Sequence, residues 1–305
     1  MSIKKVVVTG GAGRVGAYVL RELERDFEVT CADLVAPASG GAFVQTDVMQ
    51  LDSVRAALHG ADAVIHLAAI DYDWGAAPEK YIDVNVRGTW HVLQAAAELG
   101  VKKVVLCSSV SACGLSEMRA NFVPQQLQVD ESHPCRPVQA YSVSKTMMER
   151  MGQSFVDGGT MDVICLRPLA VVMQESFSAY LDFVRTPDRH WLFYYVTAQD
   201  VARGFRCALE VQGLRYGVFF LSADDTSRPE PTLDWYRQRF GSLPPIANPR
   251  LFHKLPRASV FSSAQAKDLL GWQPNSNFLD LQQAWAPTST RTTTTTTTAN
   301  QEHTA

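Results

Sequence analysis

Short runs of consecutive apolar residues alternate with stretches in which apolar residues recur every three or four positions, and this alternation dominates the first half of the chain. The runs predict strands at Lys5–Thr9, Glu28–Asp33, Ala42–Gln45, Ala63–His66, Lys103–Ser108 and Asp162–Arg167. Most are apolar at successive positions, as strands covered on both faces must be. Between them Val15/Val19/Leu23, Leu51/Val54/Leu58 and Val86/Trp90/Leu93/Ala97 fall at helical spacing, so each stripe is expected to face the sheet. The rhythm predicts an α/β protein with a doubly wound parallel sheet over residues 1–168. Beyond that point the pattern is irregular. A helix over Ala198–Val211, a short strand around Val218–Ser222 and prolines near Pro229 and Pro244 predict a smaller mixed, substrate-binding lobe over 169–287, interleaved with the first domain. Residues 288–305 include Thr292–Thr298 without interruption and nothing apolar to offset the entropy of ordering them, so a disordered tail is expected there.

Composition narrows the classes. Hydrophobic residues make up 46% and charged residues 19%, with a formal net charge of -3, an ordinary globular balance. No basic stripe points to nucleic acid, and no window is apolar enough to cross a bilayer. The first strand begins after four residues, leaving no room for a secretory signal, so a cytoplasmic protein is expected. The six cysteines avoid the close pairs of zinc or redox motifs, and Cys107 and Cys165 lie inside apolar runs, so reduced structural thiols are expected. None of the seven histidines has metal-ligand spacing, and no metal is expected.

The first strand leads directly into Thr9-Gly10-Gly11-Ala12-Gly13-Arg14-Val15-Gly16, inside which a helical pattern begins. Glycine is required where a chain turns tightly, where backbone approaches a pyrophosphate and where helix packs close to strand. The helix start then offers unpaired N–H groups and a positive dipole end to phosphate. Asp33 closes the second strand about 20 residues further on, where a carboxylate bonds the adenosine ribose hydroxyls. Gly10, Gly13, Arg14, Val15, Gly16 and Asp33 therefore form a candidate NAD site. Asp33 would repel a 2'-phosphate, which favours NAD over NADP, and Arg14 is expected to offer its backbone N–H to the pyrophosphate.

Tyr141 and Lys145 stand one helical turn apart on one face. A nearby ammonium favours the phenolate and draws the tyrosine's pKa down from about 10, which makes Tyr141 a usable acid/base. The strand Val104–Ser109 ends in two hydroxyls at the carboxyl edge, where open α/β sheets bind ligands. Ser109 is the candidate for holding a substrate oxygen, with Ser108 as a structural partner that bonds backbone.

With these motifs in order, and with Asp47-Val48, His66-Leu67-Ala68-Ala69, Asn85-Val86-Arg87-Gly88-Thr89, Leu166-Arg167-Pro168 and the late Lys267–Trp272, the chain resembles the extended short-chain dehydrogenase/reductases of the NAD-dependent epimerase/dehydratase family. The resemblance implies a Rossmann domain and a Ser109/Tyr141/Lys145 active site. It implies that Asp47 and Val48 contact the adenine, that Leu67, Ala68 and Ala69 line the cofactor's path, and that Asn85 supports the nicotinamide end. It also implies that Lys145 holds the nicotinamide ribose, that Pro168 borders the nicotinamide, and that the chain forms a homodimer through helices at Asn85–Leu99 and Tyr141–Phe155. Hydride transfer at a secondary hydroxyl or ketone of a sugar or sugar-nucleotide-like substrate follows. Two departures point to a smaller substrate such as a uronic acid. Ser109-Val110-Ser111 stands where dehydratases of the family carry Thr-Asp-Glu, and Leu169–Val172 lacks the Asn-Tyr-Gly-like stretch of many nucleotide-sugar members.

Arg189 and Arg257, in loops over the carboxyl edge, are candidates for gripping a substrate anion. Trp191, Phe193, Tyr194 and Tyr195 read as core, His91 as helix surface, and residues 115–140 have the length of a lid. The rival class is a cofactor-sensing or scaffold protein that has lost catalysis. Such proteins usually lack the Tyr and Lys that this chain keeps.

Overall fold

A computed structural model describes residues 3–72, 75–117, 122–159, 161–185 and 192–285. Seven parallel strands form the central sheet in the order β3-β2-β1-β4-β5-β6-β9. They are β1 (Lys5–Thr9), β2 (Glu28–Asp33), β3 (Ala42–Gln45), β4 (Ala63–His66), β5 (Lys103–Cys107), β6 (Asp162–Pro168) and β9 (Tyr216–Leu221). A separate pair joins β7 (Val171–Val172) to β8 (Val196–Thr197).

Strand parity divides the core. Val6, Val8, Ile65, Val105 and Ile164 face one layer, which includes α1 (Arg14–Leu23) and α7 (Ala198–Glu210). Val7, Val64, Val104, Leu106, Val163 and Cys165 face the other, under α2 (Leu51–Leu58), α4 (Gly88–Glu98) and α5 (Ala140–Asp157). Each fully buried Val, Leu or Ile contributes about 1.5–3 kcal/mol relative to exposure, and because both faces are covered the strands lack polar alternation. The strand order reverses between β1 and β4, which leaves a crevice at their carboxyl ends.

Four expectations change. The strand near residue 218 pairs with β6 from Val163↔Tyr216 to Pro168↔Leu221, and α7 packs against α1, so both complete the main sheet rather than the lobe. The lobe's own core joins Val172, Phe177, Leu181, Tyr195, Phe278 and Leu281. Trp90 is 46% exposed and stands edge-on to Phe155, while Val92, Leu93, Ala95 and Ala96 form the buried stripe of α4. In the described part of 115–140, the Leu127 and Val129 amides donate to the Pro245 and Val260 carbonyls, and their own carbonyls accept from Ala247 and Ser262. This double pinning ties the segment to the C-terminal region instead of leaving it free as a lid. The threonine-rich tail, Trp191 and Arg189 lie outside the described residues. Phe193, Tyr194 and Tyr195 are core residues.

Among the described residues no helix is long and apolar enough to cross a membrane, and no group of three or more His, Cys, Asp or Glu residues could hold a metal ion. All six cysteines are free thiols. Burial pushes the Cys31 and Cys113 thiols up, to about 11 and about 12, which keeps them protonated. Cys135 is exposed, with its sulfur 3.3 Å from Arg167 Nη2.

Candidate active site

The glycine loop after β1 meets the loop after β4 without room for a side chain. Gly10 has φ +73, and a Cβ built there would stand 2.5 Å from the Ala68 backbone nitrogen. A Cβ on Gly16 would stand 2.5 Å from the Gly10 and Gly11 carbonyl oxygens, so the first turn of α1 packs directly under the loop. Gly13 is the N-cap of α1 and supplies no side-chain cap, leaving the opening N–H groups of the helix for another partner. Asp33, at the end of β2, accepts from Ala12 N at 3.0 Å and from Leu34 N at 2.7 Å, which fixes the carboxylate beside the glycine loop. Arg14 pairs with Asp71 at 3.1 Å and Val15 is half-buried in the first turn. This cradle of bare backbone, helix start and carboxylate fits a dinucleotide.

Further along the edge, Asp47 Oδ1 accepts from Met49 N, and Val48 is buried against Gly88 with its carbonyl bonded to His91 Nδ1. His91 is thus half-buried and engaged rather than a surface residue. Leu67, Ala68 and Ala69 follow β4, where the Leu67 amide extends the β1 pairing by donating to Thr9 O. Asn85 is fully buried in a π-helical segment, Ile82–Arg87. Its Oδ1 accepts from Ile70 N at 2.7 Å, and its Nδ2 donates to Ile70 O and to Ser144 Oγ, both at 3.1 Å. Asn85 therefore clamps the loop after β4 to the first turns of α5.

A second buried chain supports that clamp. The Thr89 hydroxyl donates to Asn85 O at 2.5 Å, so at 3.0 Å it accepts from His66 Nε2, and His66 Nδ1 accepts from the Thr9 hydroxyl at 2.7 Å. Burial, aided by the Lys145 charge, pushes the His66 imidazole down to about 3. It is a neutral connector between β1, β4 and α4.

α5 carries Tyr141 and Lys145 on one buried face. Lys145 Nζ donates to Cys107 O, the end of β5, at 2.7 Å and lies 5.6 Å from the Tyr141 ring centroid. Burial pushes the Lys145 ammonium down from the usual lysine range, against the opposing pull of Cys107, Asp71 and Glu149. The Tyr141 ring is edge-on to Tyr72 and Tyr81, with centroids 5.8 and 5.9 Å away. Tyr72, Pro78 and Tyr81 face Val138–Tyr141 and Val143 across an open depression of about 480 Å³. Ser109 follows β5, half-buried, and its Oγ accepts from Ser111 N at 3.1 Å, capping the turn that begins at Val110.

Ser108 differs from expectation. Its hydroxyl donates to Glu149 Oε1 rather than to backbone, because Glu149 lies one turn beyond Lys145 on the buried face of α5. Glu149 also takes Arg167 in a bidentate pair, at 2.7 and 2.8 Å, with both side chains under 10% exposed. The ends of β5 and β6 and the helix of Tyr141 are thereby tied at one carboxylate. The helical spacing that links Tyr141 to Lys145 extends to Glu149, and it is the signal that would have found this residue. Tyr72 and Tyr81 carry no such signal, since their contact with Tyr141 joins separate segments. Pro168 ends β6 beside this network. Arg257 is committed elsewhere, to Asp225 Oδ2 at 2.9 Å and to the Arg228 and Thr226 carbonyls.

Comparison with known proteins places the chain in a family. The profile of the NAD dependent epimerase/dehydratase family matches residues 6–179. The chain belongs to that family. It is an NAD-dependent enzyme of that family. A UDP-glucose 4-epimerase of Streptomyces lividans is 28% identical, covering 89% of this chain and 92% of the relative. An L-arabinose 1-dehydrogenase (NAD(P)(+)) of Haloferax volcanii is 28% identical over 68% of this chain and 82% of its own. The solved uronate dehydrogenase of Agrobacterium tumefaciens shares the fold at TM-score 0.65 and 20% identity, over 95% of this chain and 91% of that one.

Proposed function

We propose that this family member catalyses hydride transfer at a secondary hydroxyl or ketone of a sugar-like molecule, with Tyr141 as acid/base, Ser109 bonding the reacting oxygen and Lys145 favouring the phenolate. The observation that carries this reading is the buried Lys145 ammonium, anchored to the end of the strand that leads to Ser109 and 5.6 Å from the Tyr141 ring. A phenol so placed exchanges a proton with the substrate oxygen while the serine hydroxyl orients it. When bound, NAD accepts or returns the hydride at its nicotinamide ring.

Gly10, Gly13, Arg14, Val15 and Gly16 would hold the pyrophosphate, Asp33 the adenosine ribose, and Asp47 with Val48 the adenine. Leu67–Ala69 would border the cofactor's path and Pro168 the nicotinamide. Asn85 acts through the loop and helix it joins, and Lys145 also serves the nicotinamide ribose. The described residues of 169–285, less the strand and helix that complete the sheet, would form the substrate-facing lobe. The activities for which these relatives are named, on UDP-glucose and L-arabinose, support a sugar-like substrate.

Incubation with NAD and a panel of free sugars, uronic acids and nucleotide sugars checks the reading. NADH accumulation marks a dehydrogenase, and isomeric products without accumulation mark an epimerase. Neither outcome with any member contradicts hydride transfer at a sugar carbon.

The working form is a cytoplasmic homodimer. Trp90 and Met147, 46% and 41% exposed on α4 and α5, are the apolar positions that a second copy would cover. Light scattering should give twice the 33.6 kDa chain mass. A monomer at micromolar concentration would refute the pairing.

A further inference from the structure

Among the described residues, three side-chain hydrogen bonds fasten α5 to the segment that carries Ser109. Lys145 Nζ donates to Cys107 O at 2.7 Å, the Ser108 hydroxyl to Glu149 Oε1 at 2.5 Å, and the Thr146 hydroxyl to Ala112 O at 2.9 Å. Two of them lie before Ser109 and one after it. The bond to Glu149 differs from the other two because the carboxylate is held from the neighbouring strand as well. Arg167, on β6, donates Nε to the same Oε1 at 2.7 Å and Nη2 to Oε2 at 2.8 Å. Such a two-point pair fixes the plane of a carboxylate along with its position. Tyr216, at the start of β9, donates its hydroxyl to the Glu149 backbone carbonyl at 3.0 Å. Residue 149 is therefore held by both of the last two strands of the sheet.

The position of Glu149 bears on both hydroxyls of the proposed chemistry. Along α5 it lies eight residues beyond Tyr141, with Tyr141, Lys145 and Glu149 all buried. Two turns of continuous helix span about 12 Å as a rigid unit, so holding residue 149 also sets Tyr141. On the other side, Ser109 follows Ser108 directly, in extended backbone at φ -160 and ψ 154. A shift of Ser108 passes straight to Ser109. Ser108 and Glu149 are 3% and 5% exposed, so water does not replace their bond. A buried ion pair is weak ground for stability, since an apolar pair of similar volume does as well, whereas misplacing a reacting group by about 1 Å can cost a hundredfold in rate.

Resting on the hydride-transfer reading, we propose that Glu149 is a positioning residue: held by Arg167, it sets the separation of the Ser109 and Tyr141 hydroxyls through its bond to Ser108. Glu149 is also one of the charges that oppose the effect of burial on Lys145, so the test leaves the carboxylate in place and removes its hydroxyl partner.

Ser108→Ala removes the bond while Glu149 keeps Arg167, and Ser108→Thr keeps a hydroxyl. Steady-state kcat and KM of the full chain are measured with NAD and whichever of L-arabinose, galacturonate and UDP-glucose the unaltered protein converts. Rates are expressed per NAD site counted by calorimetry, so that unfolded protein does not imitate slow catalysis. Ser108→Ala should lower kcat about tenfold or more, which adds at least 1.4 kcal/mol to the barrier. KM and NAD affinity should stay as they are, and Ser108→Thr should recover most of the loss. Crystal structures of the NAD complexes should show the separation of Ser109 Oγ and Tyr141 Oη changed by about 1 Å in Ser108→Ala. A tie that serves the fold alone lowers the melting temperature and leaves kcat per site untouched. A fall in kcat of less than tenfold, an unchanged separation, or a threonine variant no faster than the alanine one would each overturn the proposal. If the unaltered protein converts a substrate and one of these results appears, hydride transfer stands and the positioning role falls. If it converts none, the hydride-transfer reading falls, and the separation alone decides whether Glu149 spaces the two hydroxyls.

Discussion

Replacing Tyr141 by phenylalanine lowers kcat by about 10²–10⁴, with NAD affinity unchanged. The substitution removes only the hydroxyl. The ring keeps its edge contacts with Tyr72 and Tyr81, and Lys145 keeps its bond to the Cys107 carbonyl. In the proposed reading the glycine loop and Asp33, on other elements, hold the cofactor, and Lys145 remains in place at its ribose. Steady-state kinetics against calorimetric NAD titration checks both halves. A fall in kcat of less than tenfold would remove Tyr141 from the chemistry, and a parallel loss of NAD binding would make its role structural.

Replacing Arg167 by methionine destabilises the fold by about 3–5 kcal/mol, because Glu149 is left as a buried carboxylate without its partner. The melting temperature falls by on the order of 10 °C. Arg167 stacks on Phe220 at 5.3 Å, so packing as well as charge is lost. Replacing Glu149 by leucine in the same chain should recover part of the loss, since an apolar pair of similar volume avoids the unpaired charge. Denaturant unfolding of both single variants and the double variant measures this coupling. A double variant as unstable as the sum of the singles would show that the pair contributes nothing as a pair.

Local features of this fold are legible in the sequence, and non-local ones are not. β4 was legible because Ala63, Val64 and Ile65 are all apolar and both faces are covered. The glycine loop was legible because Gly10 and Gly16 answer steric demands that no side chain satisfies. Tyr141 and Lys145 were legible through helical spacing. The π-helical turn around Asn85 was not, since one extra residue in a helical turn leaves the apolar pattern nearly unchanged. Trp90 was assigned to the sheet face because the stripe through Val86, Leu93 and Ala97 allows two faces, and only the packing against α2 and α5 decides between them. β9 escaped assignment to the main sheet because strand partners depend on where the chain returns, which no local pattern encodes. Arg257 resembled an anion grip until Asp225 was placed beside it.

For hydride transfer a serine hydroxyl from the end of β5 and a tyrosine hydroxyl from α5 must meet one substrate oxygen. A crystal structure of the Tyr141→Phe variant with NAD and the preferred substrate tests it most directly. The reacting oxygen is expected about 3 Å from Ser109 Oγ, facing the edge of residue 141 from which the hydroxyl was removed. A substrate oxygen bonded instead to Ser111 or Gln139, out of reach of both positions, would contradict it.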